Sequence, residues 1–203
     1  MTGIFINYRT GDGGEAAVLI DNDLRLRFGD DQVFRDRRAM EPGIHYPPEM
    51  ARRLEASTVV LVLIGEHWLK VTDESGNRRI DDPDDWVHWE IRRALDLGKI
   101  VVPLLLDGAA LPTKGELPSR IAQLAERQNS RLVIPYAHEQ MAPIRAFLER
   151  HVQPRPAAPA VPPPSKYHVA SNTGVVGDWG TYIENDNSGL RGRRDPDGDG
   201  RTA

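Results

Sequence analysis

Apolar residues fall into short blocks along the chain, and stretches of helical spacing separate them. Ile4-Phe5-Ile6 opens the series as a short strand. Gly13–Phe28 follows with Ala17, Ile20, Leu24 and Phe28 three or four apart, the stripe of a helix with one buried face. Val33-Phe34 is a weak second strand, and Pro47–Ala56 reads as a short helix whose prolines suit a first turn. Thr58–Ile64 (TVVLVLI) is a strong buried strand, rich in β-branched residues. Pro83–Gly98 reads as a helix, with Asp81, Asp82, Asp84 and Asp85 near its positive end and Gly98 at its stop. Ile100–Leu106 (IVVPLLL) is another buried strand, in which Pro103 predicts a bulge or an edge. Leu117–Gln128 reads as helix, Leu132-Val133-Ile134 as a fifth strand and Glu139–Val152 as the last helix.

Strands that are apolar along their whole length, separated by helices, predict an α/β fold with a parallel sheet covered on both faces. Five such units predict the flavodoxin-like strand order 2-1-3-4-5. Ligands bind such sheets at the carboxyl ends of the strands, near the switch point. That directs attention to Asn7-Tyr8-Arg9, Arg35-Asp36-Arg37 and Gly65-Glu66.

The pattern stops at residues 154–164, PRPAAPAVPPP, where six of eleven residues are proline and neither helix nor ladder can propagate. Charge divides there too, since residues 1–153 carry a net −4 and the charges of residues 154–203 cancel to zero. The expected organisation is a globular domain over 1–153, a semi-rigid linker over 154–166, and a low-complexity, mostly disordered tail over 167–203.

Composition narrows the function. Of the 203 residues, 39% are hydrophobic and 28% charged, which supports a packed core in the first segment. A net charge of −4 argues against a general grip on nucleic acid. With no cysteine, a disulfide scaffold, a Cys-ligated zinc and a thiol nucleophile are excluded. The N-terminus lacks a basic, apolar leader, and Val59–Ile64 and Ile100–Leu106 fall far short of the roughly 20 residues of a membrane helix. A cytoplasmic protein without a membrane partner is expected.

Familiar chemical motifs are missing. Gly11-Asp12-Gly13-Gly14 fits neither G-x-G-x-x-G nor G-x-x-x-x-G-K-[ST] and reads as a loop and helix start. H-E-x-x-H and G-x-S-x-G are absent. A phosphate-receiver domain of the same topology needs paired acids where this chain has Asn7. Asp195-Pro196-Asp197-Gly198-Asp199-Gly200 begins like a calcium loop but reads as a solvated acidic end, and no metal is expected. Two features remain. Trp86 and Glu90 are four apart, so they share a helix face, and an aromatic beside a carboxylate can wall a pocket. The plainer alternative places Trp86 and Trp89 in the core and Glu90 in solvent. The second feature is Phe34–Tyr46, FRDRRAMEPGIHY, a charged loop at a strand's carboxyl end.

Together these pieces resemble the bacterial form of the TIR (Toll/interleukin-1 receptor) domain, over roughly Gly3–Val152. The matching motifs are Ile4-Phe5-Ile6-Asn7-Tyr8-Arg9, Val33-Phe34-Arg35-Asp36 through Pro42-Gly43 (the BB loop), Ile64-Gly65-Glu66-His67-Trp68-Leu69, and Asp82-Pro83-Asp84-Asp85-Trp86-Val87-His88-Trp89-Glu90-Ile91. Many members hydrolyse NAD. The resemblance implies a catalytic carboxylate at Glu90, gripping the hydroxyls of the nicotinamide ribose while the C–N bond breaks. It implies binding positions at Tyr8, Arg9, Asp36, Arg37, Gly43 and Trp86, with NAD+ as substrate and no cofactor. Attack by water would give ADP-ribose, and attack by an internal nucleophile a cyclic product. One departure stands out: Asp85, Trp86 and Trp89 occupy positions where relatives often carry a small polar residue, and Asp82 and Asp85 would repel a pyrophosphate if they pointed inward.

Activity in this family usually requires several TIR domains together, so homo-oligomerisation is implied, in bacterial immune signalling and antiviral defence. The alternative is a non-enzymatic adaptor working through homotypic contacts. In the tail, Gly174, Gly177 and Gly180 recur every three residues beside Val175-Val176 and Tyr182-Ile183. That pattern loosely resembles bacterial amyloid signalling motifs, which would stack copies and be templated by an upstream partner with a like segment.

Overall fold

The computed structural model describes residues 3–35 and 46–156, together with the short segments 167–171, 174–177 and 182–183. The chain separates into two units, Met1–Pro156 and Ala157–Ala203.

In the first unit the order is β1 (Ile4–Asn7), α1 (Thr10–Phe28), β2 (Val33–Arg35), α2 (Tyr46–Ala56), β3 (Val59–Ile64), α3 (Trp86–Asp96), β4 (Ile100–Leu106), β5 (Ser130–Leu132) and α4 (Ala137–Leu148). Short 3-10 turns cover Arg79–Asp81, Ser119–Glu126 and Ile134–Tyr136. All five strands are parallel in the order β2-β1-β3-β4-β5, which is the flavodoxin-like order read from the sequence.

Alternation along the strands sorts the core into two layers. Ile4, Ile6, Val59, Leu61, Leu63, Leu104 and Leu106 face α1 and α4, where Ile20, Leu24, Met141 and Leu148 cover them. Phe5, Val60, Val62, Ile64, Val101 and Leu105 face the other way, against Leu54 of α2, Val87 and Ile91 of α3, and Ile121 and Leu124. Each such side chain withdrawn from water contributes about 1.5–3 kcal/mol before chain entropy is subtracted.

Several boundaries differ from the sequence reading. The third helix starts at Trp86 rather than Pro83, because Asp85 caps it. Residues 119–126 form a 3-10 turn rather than an α-helix. Over two turns, apolar spacing does not separate three residues per turn from about 3.6. The fifth strand runs Ser130–Leu132, ending two residues early. There the side chains of Gln140 and Asp107 accept from the backbone N–H groups of Val133 (2.7 Å) and Ile134 (2.8 Å), replacing the ladder. β4 is an interior strand without a bulge, which corrects the expectation for Pro103. β5 begins to pair only at Leu104, so Pro103 has a neighbouring strand on the β3 side alone.

In the second unit the described residues form an antiparallel sheet of β6 (Tyr167–Ser171), β7 (Gly174–Gly177) and β8 (Tyr182–Ile183). Val175 lies opposite both Val169 and Ile183. The linker from 157 and the acidic end at 195–200 lie outside the described residues. Among the described residues no helix is long and apolar enough to cross a membrane, and no group of three metal-ligating side chains comes together.

Candidate active site

The alternation that sends Phe5 toward α3 sends Asn7 and Arg9 the same way as the chain leaves β1, while Tyr8 turns to the opposite layer and packs, half-buried, on the α1 side. On α3 the buried stripe is Val87, Glu90, Ile91 and Ala94, spaced as one face of a helix. A carboxylate therefore occupies a core position of that stripe, with no exposed surface. An unpartnered charge there would be costly. Asn7, itself without exposed surface, answers it by donating Nδ2 to Glu90 Oε2 at 2.6 Å. The alternative of a solvated Glu90 with both tryptophans in the core does not hold: Glu90 is buried, and Trp86 and Trp89 are half-buried, in edge-to-face contact at 5.9 Å.

A second link lies one turn back. Arg9 grips Asp85 with both ends of its guanidinium, at 3.1 and 2.9 Å, and both side chains are buried. Asp85 also accepts from the backbone N–H groups of Val87 (3.1 Å) and His88 (3.3 Å), which caps α3. Arg79, half-exposed, adds a contact at 3.2 Å. Burial pushes the Asp85 carboxyl up, but the Arg9 guanidinium, the hydrogen bond from His88 N and the nearby Arg79 charge outweigh it and hold the group below the usual carboxylate range. Asp85 is thus neutralised internally and presents no free charge to a pyrophosphate. Asp82 is exposed, and its Oδ1 accepts from Asp84 N at 2.9 Å. Two cross-links, Asn7–Glu90 and Arg9–Asp85, fix the exit of β1 against the first turns of α3.

A third fastening holds the start of α1. Asp12 accepts from Gly65 N at 2.9 Å and His67 N at 2.7 Å, tying α1 to the exit of β3. Gly65 is required by this close approach, since a Cβ there would sit 2.6 Å from Asp12 Oδ2.

Buried polar atoms without a partner concentrate at the same junction. Of the four among the described residues, Asn7 Oδ1, Arg9 Nε and His88 Nε2 belong to the β1 exit or the start of α3. The fourth, Trp68 Nε1, belongs to a side chain lining a separate cavity of about 260 Å³ with Leu111, Lys70 and Glu116. Such atoms are rare in native interiors and each marks a place for water, ligand or function.

Of the residues singled out from the sequence, Tyr8, Arg9, Trp86 and Glu90 therefore sit on the β1 exit and α3, while Asp36, Arg37 and Gly43 lie outside the described residues. The pairing of Asn7 with Glu90 and the capping role of Asp85 are not part of the sequence reading. A signal for the first is present: Glu90 falls three residues after Val87 and one before Ile91, on the apolar stripe.

The sequence profile of the TIR domain matches residues 4–133. The chain is 27% identical over 149 residues to the NAD(+) hydrolase tir-1 of Caenorhabditis elegans, a match that covers 71% of this chain and only 14% of that relative's length. Among solved structures it is similar to the TIR domains in the structure of the activated Roq1 resistosome directly recognizing the pathogen effector XopQ. There the TM-score is 0.48 at 12% identity, over 73% of this chain and 98% of that one. With the family profile covering well over half of its residues, the chain belongs to the TIR domain family.

Proposed function

We propose that this chain cleaves the nicotinamide–ribosyl bond of NAD+, with Glu90 as the catalytic carboxylate. The observation that carries this reading is a glutamate on the buried stripe of α3, held by Asn7 at the carboxyl end of the sheet. A core position is an expensive place for an acid, and function is the usual reason to keep one there. A distant relative named an NAD(+) hydrolase points the same way.

Breaking the C–N bond leaves positive charge on the ribose ring, as in an oxocarbenium ion. A fixed carboxylate stabilises that charge without reorganising. Nicotinamide departs neutral, taking the bonding electron pair, so no strong acid is needed. Water then adds to the ribose carbon and loses a proton, giving ADP-ribose; an internal nucleophile gives the cyclic product instead. Trp86 offers a flat face at the start of α3, and Tyr8 follows Asn7 at the strand exit. Arg9 contributes by holding Asp85, and with it α3. The resemblance to the family adds Asp36, Arg37 and Gly43 as further binding positions.

Glu90 has no exposed surface in the single chain, so the pocket must open before substrate reaches it. Self-assembly is the trigger in this account, with bacterial immune signalling as the setting. The tail gathers copies and answers an upstream partner carrying a like segment. The same burial favours a second reading, a non-enzymatic adaptor in which Glu90 is structural. Release of nicotinamide from NAD+ by the concentrated full chain, beside Glu90→Ala, separates the two: the enzyme reading requires release by the wild type and none by the variant.

A further inference from the structure

Only half of the Asn7 side chain is used. Its amide nitrogen donates to Glu90 Oε2 at 2.6 Å, while its amide oxygen has no partner although the residue has no exposed surface. Chemistry decides which end is which: a carboxylate oxygen accepts, so the nitrogen must face it and the oxygen must be the orphan. The geometry is over-determined, because the Arg9–Asp85 pair fixes the β1 exit against α3 independently of Asn7. An acceptor held rigidly beside the catalytic acid, and lacking a donor, calls for a donor from outside the protein.

We infer that Asn7 is a substrate-binding residue whose Oδ1 accepts from one hydroxyl of a ribose cis-diol while Glu90 accepts from the other. The inference rests on the reading of Glu90 as the NAD+-cleaving carboxylate. A cis-diol presents two neighbouring O–H donors on one edge of a five-membered ring. Glu90 and Asn7, joined by their hydrogen bond, present two neighbouring acceptors. The match explains why an asparagine, donor at one end and acceptor at the other, suits the last residue of β1. An apolar residue there would take one donor away from Glu90, and a second carboxylate would repel it. A trapped water on Oδ1 is the competing account.

The test uses the full-length chain at a concentration where it turns over NAD+. Wild type, Asn7→Ala and Asn7→Ser are compared on NAD+ and on the two analogues lacking the 2′- or the 3′-hydroxyl of the nicotinamide ribose. The quantity read is the ratio of kcat/KM on NAD+ to that on each analogue, within one variant. This ratio does not depend on how much of a variant is folded, and comparing variants cancels the intrinsic lability of the analogues. For one of the two hydroxyls, Asn7→Ala should reduce the ratio about 3- to 10-fold relative to wild type, the worth of one neutral hydrogen bond. Asn7→Ser, which keeps a shorter acceptor, should fall between. Ratios for both analogues that are unchanged in both variants would overturn the assignment and leave the NAD+ reading standing. A wild type that leaves NAD+ intact would overturn the NAD+ reading, and this assignment with it.

Discussion

Replacing Asp85 with alanine removes the link on which the start of α3 depends. The carboxylate carries the bidentate grip of Arg9, the cap of α3 and a contact from Arg79. Arg9 is only 5% exposed, so its charge would be left in the interior without a partner. Breaking a buried pair in this way costs about 3–5 kcal/mol. Loss of the cap adds about 1 kcal/mol. Arg79 is half-exposed, relaxes into solvent and adds little. Partial hydration of Arg9 in the variant makes these costs less than additive, so about 3–5 kcal/mol is expected in total. That is a large share of the roughly 5–15 kcal/mol that holds an ordinary domain together. Urea unfolding of the full chain, followed by far-UV circular dichroism and extrapolated linearly, measures it. The double variant Arg9→Met, Asp85→Ala should recover most of the loss beyond the cap, because no charge is then stranded. A loss below about 1 kcal/mol for Asp85→Ala, or a double variant worse than the single one, would refute the reasoning.

Acid should act on the same pair. The folded Asp85 carboxyl titrates below its ordinary value near pH 4, so its contribution is present above that pH and disappears as the pH falls through the folded value. Asp85→Asn should therefore flatten the acid limb of the stability curve, and an unchanged limb would count against the assignment. Gly65→Ala places a Cβ 2.6 Å from Asp12 Oδ2 and 2.7 Å from the Asp12 carbonyl oxygen, and should cost about 1–3 kcal/mol in the same unfolding assay. Arg27→Ala breaks an ion pair with Glu149 that lies at the surface, and should leave the unfolding midpoint where it is.

What was legible in the sequence was what local pattern decides. Val59–Ile64 is apolar at every position and buried at every position, because both faces of its strand meet helices. Such runs in alternation with helical stripes point to a parallel sheet, and five of them to the flavodoxin-like order that the structure has. The boundaries that moved are those set by distant side chains: Gln140 and Asp107 end β5 by taking the hydrogen bonds of its exit. The site divides in the same manner. The spacing of Trp86 and Glu90 singled out the acid, but its partner Asn7 is 83 residues away. Arg9 is 76 residues from the carboxylate that it neutralises, so a run of aspartates read as a threat to an anionic substrate is in part an internal ion pair.

The central claim is tested most directly by nicotinamide release from NAD+ across a dilution series of the full chain, for wild type and Glu90→Gln. Turnover per chain that rises with protein concentration in the wild type, and is absent from a folded Glu90→Gln protein, is the predicted result. A wild type that assembles and leaves NAD+ intact, or a Glu90→Gln protein that cleaves it equally fast, would contradict the account.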